Sequence, residues 1–207
     1  MNSRWIVGTG DYLQEVLLIW QQAYGQGAPE KIEIPQLRDY TFDLSPLDAL
    51  SPSDSEVFVA VDERFGNFKR MELMQAVMAR GFKLASFVHP SAVVGVDTKI
   101  GMNVFVGAHA VIGHTTRIDY NSVVHAGVHI GPRGRIKSSC WIENGVQLGS
   151  AVELGAHCTI RMGASIRAGV NVGRGCELGW PRLYEHDVPN KTVFDSRYGE
   201  PIHTYGK

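Results

Sequence analysis

The stretch VHAGVHIGPRGRIKSSCWIENGVQL, residues 124–148, decides the fold. Val124, Ile130, Ile136, Ile142 and Leu148 return every six residues, and the fifth position of each hexad is small or short: Val128, Gly134, Cys140, Val146. Going outward, the aliphatic position is filled at Val88, Val94, Ile100, Val106, Ile112 and Ile118 on one side. On the other it is filled at Leu154, Ile160, Ile166, Val172 and Leu178, which makes sixteen hexads without a break. The small fifth position fails only at Arg182. A period of six fits neither a helix nor a long flat strand, but it fits a short strand followed by a corner. Three such strands close one triangular coil of 18 residues, so sixteen hexads predict about five coils stacked at about 4.8 Å.

The glycines and cysteines follow the same period. Of the 23 Gly, fifteen lie between Val88 and Leu183. They are expected, with Asn103 and Asn121, at corners where the backbone takes positive φ, as at Gly127, Gly145, Gly163, Gly169 and Gly175. Cys140, Cys158 and Cys176 are each 18 apart and occupy the inward fifth position. A stacked column in the core is expected of them rather than a disulfide or a metal site.

Upstream of the repeat the pattern changes. Arg4 to Gly8 reads as a strand running into a Gly-x-Gly turn, followed by a helix over Tyr12–Tyr24 with Leu13, Val16, Leu17 and Trp20 on one face. Glu56–Val61 reads as a second strand, Phe68–Arg80 as a helix stopped by Gly81, and Leu84–Val88 as a strand entering the repeat. This alternation predicts a small α/β, Rossmann-like domain over residues 1–87, a β-helix over 88–189 and a tail over 190–207.

Composition narrows the function. The chain has 207 residues and a formal net charge of -1, with no basic run of the kind that grips nucleic acid. Its longest apolar runs, Val16–Trp20 and Val57–Val61, are far too short to span a membrane. The residues Met1-Asn2-Ser3-Arg4 lack the apolar stretch of a secretory signal, so a cytoplasmic location is the expectation.

The hexad pattern resembles that of the hexapeptide-repeat acyltransferases, whose fold is a left-handed parallel β-helix, an exception to the right-handed crossover rule. Four further motifs sharpen the likeness: Ile6-Val-Gly-Thr-Gly10, Val59-Ala-Val-Asp-Glu-Arg64, His89-Pro-Ser-Ala92 and Asp187-Val-Pro189. Together they are similar to the sialic-acid and bacillosamine type of sugar acyltransferase. The resemblance implies acyl transfer, chiefly acetyl, from acetyl-CoA to an amino-sugar, nucleotide-linked in many members, in surface-polysaccharide biosynthesis. It also implies a homotrimer with the coenzyme between neighbouring β-helices and the sugar reached from the N-terminal domain. By that likeness Gly8, Gly10, Asp62 and Arg64 would serve the substrate.

The chain departs from the family where the chemistry is done. The usual His-carboxylate pair falls on Pro132-Arg133 and the usual second His on Trp141, while Lys31-Ile-Glu-Ile-Pro35 lacks the acidic pair that serves the nucleotide. The 18-residue period offers a substitute, since it stacks His125, Glu143 and Arg161 on one column. His125 is the candidate general base, Glu143 its orienting carboxylate and Trp141 a wall of the cleft. His114 and His129 are weaker candidates, and Glu143 with Arg161 also reads as a plain cross-coil ion pair. His109 and His114 have no third ligand in register, so no metal is expected. For coenzyme phosphates the late coils offer Arg161, Arg167 and Arg174 with Gly163, Ala164 and Gly169. Positive charge is concentrated there: residues 88–183 hold 9 Lys and Arg against 5 Asp and Glu, and the remainder 11 against 16. The competing expectation is a catalytically inactive trimeric scaffold that binds a nucleotide-sugar.

Overall fold

The computed structural model describes residues 3–204, which form two compact units, one ending at Phe87 and the other beginning at Val88. The first is an α/β unit in the order β1 (Ser3–Gly8), α1 (Gly10–Tyr24), β2 (Glu30–Glu33), β3 (Ser55–Ala60), α2 (Phe68–Ala79) and β4 (Lys83–Leu84). Its four strands are parallel and lie in the order β2-β1-β3-β4. Helix α1 buries Tyr12, Leu13, Val16, Leu17 and Trp20, the 3.6-residue stripe seen in the sequence. Trp20 meets Phe58 edge-on at 5.7 Å and Phe87 at 4.7 Å. Around α2, Leu73, Met74 and Val77 pack with Val7, Ile34, Val57, Val59 and Phe82.

Two local readings change. The run from Leu84 to Val88 is not one strand: Lys83–Leu84 pairs with β3, and a new strand starts at Phe87–Val88, which belongs to a different sheet. The segment Glu30–Glu33, whose alternation is too short to stand out in the sequence, is the edge strand beside β1.

The second unit is a triangular prism. Two-residue strands alternate with corners, and each strand pairs in parallel with the one 18 residues on, as in Val106↔Val124, Val124↔Ile142, Ile112↔Ile130 and Ile118↔Ile136. One face carries Val88, Val106, Val124, Ile142, Ile160 and Leu178; the second runs from Val94 to Tyr184, and the third from Ile100 to Val172. The hexad aliphatics fill the interior with Ala110, Val128, Val146, Val152 and the cysteines from the fifth position.

The prism has about six coils rather than the five expected. The sequence period breaks at the Asp187-Val-Pro189 turn, yet Tyr184, Val188 and Phe194 continue the inward positions. Val188 bridges Val172, and Thr192–Phe194 adds to the first face by pairing with Glu177 and Leu178. Ile202–His203 then pairs antiparallel on that added strand. The coils therefore extend into the residues read from sequence as a tail, because two residues are missing from one corner and the spacing falls from 18 to 16.

The glycine excess has two physical causes. Corners do take positive φ, but Thr115, Arg133, Ser139, Ala151 and His157 take it as well as Gly127 and Gly145. The strain is offset by coil-to-coil bonds such as Thr115 N–H to Val96 C=O and Arg133 N–H to His114 C=O, both 2.9 Å. The other cause lies one residue after the inward aliphatic. At Gly113 a Cβ would overlap the backbone of Pro132 in the next coil. One corner column is also polar: Asn103 Nδ2 donates to Asn121 Oδ1 and Asn121 Nδ2 to Ser139 Oγ, both 2.9 Å and buried.

Candidate active site

In the α/β unit the residues named from sequence come together. Strands β1 and β3 end side by side, with Gly8 opposite Ala60. Any side chain at Gly8 would overlap the Ala60 carbonyl, so glycine is required there. The turn continues through Gly10, at φ +74°, into the N-terminus of α1. A Cβ at Gly10 would lie 3.1 Å from a guanidinium nitrogen of Arg64, so Arg64 stands directly over the turn. Asp62 Oδ1 accepts from Arg64 Nε at 2.8 Å and from its backbone N–H at 3.1 Å. That hydrogen bond and charge raise the guanidinium pKa further above its ordinary value. A helix N-terminus, a bare glycine turn and a held guanidinium at the carboxyl ends of adjacent parallel strands suit a phosphate group.

Sequence reasoning missed what supports this loop. Arg70, 1% exposed, donates to the carbonyls of Val61 (3.2 Å) and Asp62 (3.3 Å) and to Asn67 Oδ1 (2.9 Å). It thereby fixes the turn that carries Asp62 and Arg64. The signal was present: Arg70 falls on the same helical stripe as Leu73, Met74 and Val77. Tyr12, fully buried on α1, has its phenol pKa raised by desolvation, partly offset by the charge of Arg70.

On the prism, His125 follows the inward Val124 on the corner leaving the first face and is 7% exposed. Its ring meets Trp141 at 4.5 Å and 63°, with Phe105 at 6.3 Å. Trp141 thus forms a wall beside the imidazole. Glu143, one coil on, is fixed by other groups: Oε1 accepts from Arg161 Nη1 at 2.7 Å and Oε2 from the Met162 backbone N–H at 2.8 Å. Arg161 Nε also donates to Glu177 at 2.8 Å. The column is therefore an imidazole among aromatics followed by a Glu143–Arg161–Glu177 network.

The coenzyme candidates do not share one edge. Arg161 and Gly163 lie on the corner between the first and second faces, Arg167 and Gly169 on the next corner, and Arg174 on the third. Ala164 points into the core and is 1% exposed. Six residues advance the chain by one face, so arginines 6 and 13 positions from Arg161 sit on different edges of the triangle. Arg167 and Arg174 are exposed, whereas Arg161 is already engaged by two carboxylates. Cys140, Cys158 and Cys176 are buried free thiols whose Sγ atoms face the carbonyls of Gly155, Gly173 and Pro189 at 3.0–3.2 Å. Among the described residues no group of three or more His, Cys, Asp or Glu is placed to hold a metal ion, and no helix is long and apolar enough to cross a membrane.

Residues 97–132 match the family model described as the hexapeptide repeat of succinyl-transferase. Comparison of the sequence with curated proteins gives no match. Among solved structures, PerB from Caulobacter crescentus, in complex with CoA and GDP-perosamine, is 22% identical with 93% of each chain covered and a TM-score of 0.80. The acetyltransferase domain of PglB from Neisseria gonorrhoeae FA1090 is 21% identical over 97% of this chain and 100% of that one, with a TM-score of 0.66. WeeI from Acinetobacter baumannii AYE is 13% identical over 98% and 100%, with a TM-score of 0.67. The chain thus has the fold of these proteins throughout, a small α/β unit followed by a left-handed parallel β-helix of hexapeptide repeats.

Proposed function

We propose that this protein is a CoA-dependent sugar acyltransferase, transferring acetyl from acetyl-CoA to the nitrogen or oxygen of a nucleotide-linked amino-sugar in surface-polysaccharide biosynthesis. It works as a cytoplasmic homotrimer. The observation that carries this reading is the joint presence of two constructions in one chain. One is the Gly8–Gly10 turn with Arg64 held over it by Asp62, which suits a diphosphate. The other is the hexapeptide prism with His125 set beside Trp141. The same pairing of units occurs over 93% of a protein solved with CoA and GDP-perosamine.

In this reading His125 takes the proton from the acceptor group as it attacks the thioester carbonyl, then delivers it to the departing CoA thiolate. Backbone N–H groups at the corners stabilise the tetrahedral oxyanion. Trp141 limits the swing of the imidazole and excludes water. Glu143 does not act on the imidazole as a dedicated partner; it anchors Arg161 and the corner at Met162. The exposed Arg167 and Arg174 serve coenzyme phosphates where edges of neighbouring prisms meet in the trimer.

A second reading is favoured by a specific observation. The positions where the resemblance calls for a His-carboxylate pair hold Pro132 and Arg133, and the second His is replaced by Trp141. A catalytically inactive, nucleotide-sugar-binding scaffold would account for this. Incubation with acetyl-CoA and a panel of nucleotide-linked amino-sugars, following thiol release, separates the two. Turnover establishes the enzyme; no coenzyme binding by calorimetry favours the scaffold.

A further inference from the structure

Two exposed aromatic residues on the loops that follow β2 and β3 remain unexplained by the fold. Tyr40 and Phe65 are 53% and 54% exposed and meet edge to face, with ring centroids 5.1 Å apart. Both have left-handed backbones, at φ 64° and 56°. Bulky side chains at positive φ are outliers, and two in mutual contact on a surface are costly unless the arrangement has a use. Tyr40 lies in the turn closed by the Gln36↔Phe42 bridge, after β2; Phe65 directly follows Arg64, after β3. Both therefore rise from the carboxyl-end loops of strands that flank β1, where the glycine turn and Arg64 offer N–H groups and charge to a diphosphate.

We infer that Tyr40 and Phe65 form the base platform of this site, and that they recognise the face of a purine rather than its hydrogen-bonding edge. The inference rests on the nucleotide-linked substrate proposed above. An aromatic pair with open ring surface stacks a base, and stacking tolerates changes of the base edge because every base presents a π-face. The nearest carboxylate in the loop, Asp39, already accepts at Oδ1 from the Thr41 hydroxyl (2.7 Å) and the Thr41 N–H (3.1 Å), which ties it to the turn. Guanine and adenine share a bicyclic face and differ at their edges, so a face-reading site holds the two alike and binds the smaller uracil less well.

The test is calorimetric binding of GDP, ADP, UDP and inorganic pyrophosphate to the full chain. Expected is affinity for GDP and ADP within about threefold of each other, with UDP weaker. In Tyr40→Ala and Phe65→Ala, purine affinity falls about tenfold or more while pyrophosphate affinity stays the same. Phe65→Leu, which retains apolar bulk without a π-face, shows most of the same loss. A GDP preference over ADP above tenfold would transfer recognition to Asp39 and overturn the proposal, as would purine affinity that both alanine variants leave intact. If no nucleoside diphosphate binds yet thiol release proceeds with an unlinked amino-sugar, the platform is refuted while the acyltransferase reading stands.

Discussion

The imidazole of His125 stands against the indole of Trp141 at 4.5 Å and 63°, one coil apart on the same side of the prism. Phe105 lies on the opposite side of the imidazole in the stack, at 6.3 Å. A ring held this way has few rotamers available, which suits a base that must meet its proton in one geometry.

If His125 is the base, His125→Ala lowers turnover of acetyl-CoA by at least a hundredfold, the lower range for loss of a general base. Trp141→Phe keeps an aromatic wall and costs far less, while Trp141→Ala lowers turnover by freeing the ring. Thiol-release kinetics at saturating acceptor measure all three. Full activity in His125→Ala would end the assignment.

Arg161 is the coenzyme candidate most altered by the structure. Its charge is shared between Glu143 and Glu177, at 2.7 and 2.8 Å. Arg161→Ala should therefore leave acetyl-CoA affinity within about twofold, whereas Arg174→Ala or Arg167→Ala weakens it more if those exposed arginines meet phosphates. Partly exposed pairs contribute little to stability, so the melting temperature should move by only about a degree or two. Equilibrium binding and thermal unfolding of the three variants make the comparison.

Much of this was legible from hexads alone. Val124, Ile130 and Ile136 are inward because the period admits no other placement, and the strand ending at Gly8 runs through the Gly10 turn into α1 as the strand-turn reading has it. What escaped was of two kinds. Edge assignment needs the period taken modulo 18, not 6, and so Arg161, Arg167 and Arg174 read as one cluster when they occupy three corners. Coil-to-coil contact is legible only as a recurrence: glycine follows the inward aliphatic at Gly95, Gly101, Gly107 and Gly113, but what crowds it, such as the backbone of Pro132 at Gly113, shows only in the structure.

That difference among glycines is measurable. Gly113→Ala forces overlap with backbone, which cannot rotate away, and should destabilise the prism by about 1–3 kcal/mol. Gly145, at φ +70°, has nothing within 4 Å of the place where a methyl group would stand, and Ala151 already occupies an equivalent corner at φ 56°. Gly145→Ala should cost about 1 kcal/mol, the left-handed penalty alone. Denaturant unfolding of the two variants ranks them, and equal losses would mean that the coils separate enough to admit a methyl.

Arg70 should behave as a buried strut. Arg70→Met removes a guanidinium that three oxygens accept from, leaving the Val61 and Asp62 carbonyls and Asn67 Oδ1 without those donors. Such a loss costs about 3–5 kcal/mol. The α/β unit should unfold at lower denaturant than in the unsubstituted protein. Pyrophosphate affinity should fall as well, because the loop carrying Asp62 and Arg64 loses its tether.

The cysteine column gives a pH dependence whose sign can be fixed in advance. The Cys158 thiol pKa is raised chiefly by its hydrogen bond with Cys140, and that of Cys176 by its bond with Cys158 together with burial. Above the unfolded thiol pKa of about 8.5, the unfolded chain releases these protons while the folded chain keeps them. The native state then binds more protons than the unfolded one, so stability is full below that pH and falls as pH rises. Unfolding free energy measured from pH 7 to 10 should decline, and Cys158→Ala with Cys176→Ala should flatten the slope. In the native protein at pH 8 both thiols should resist a thiol-specific reagent and react on unfolding. Rapid labelling of Cys158 under native conditions would show that the column opens to solvent.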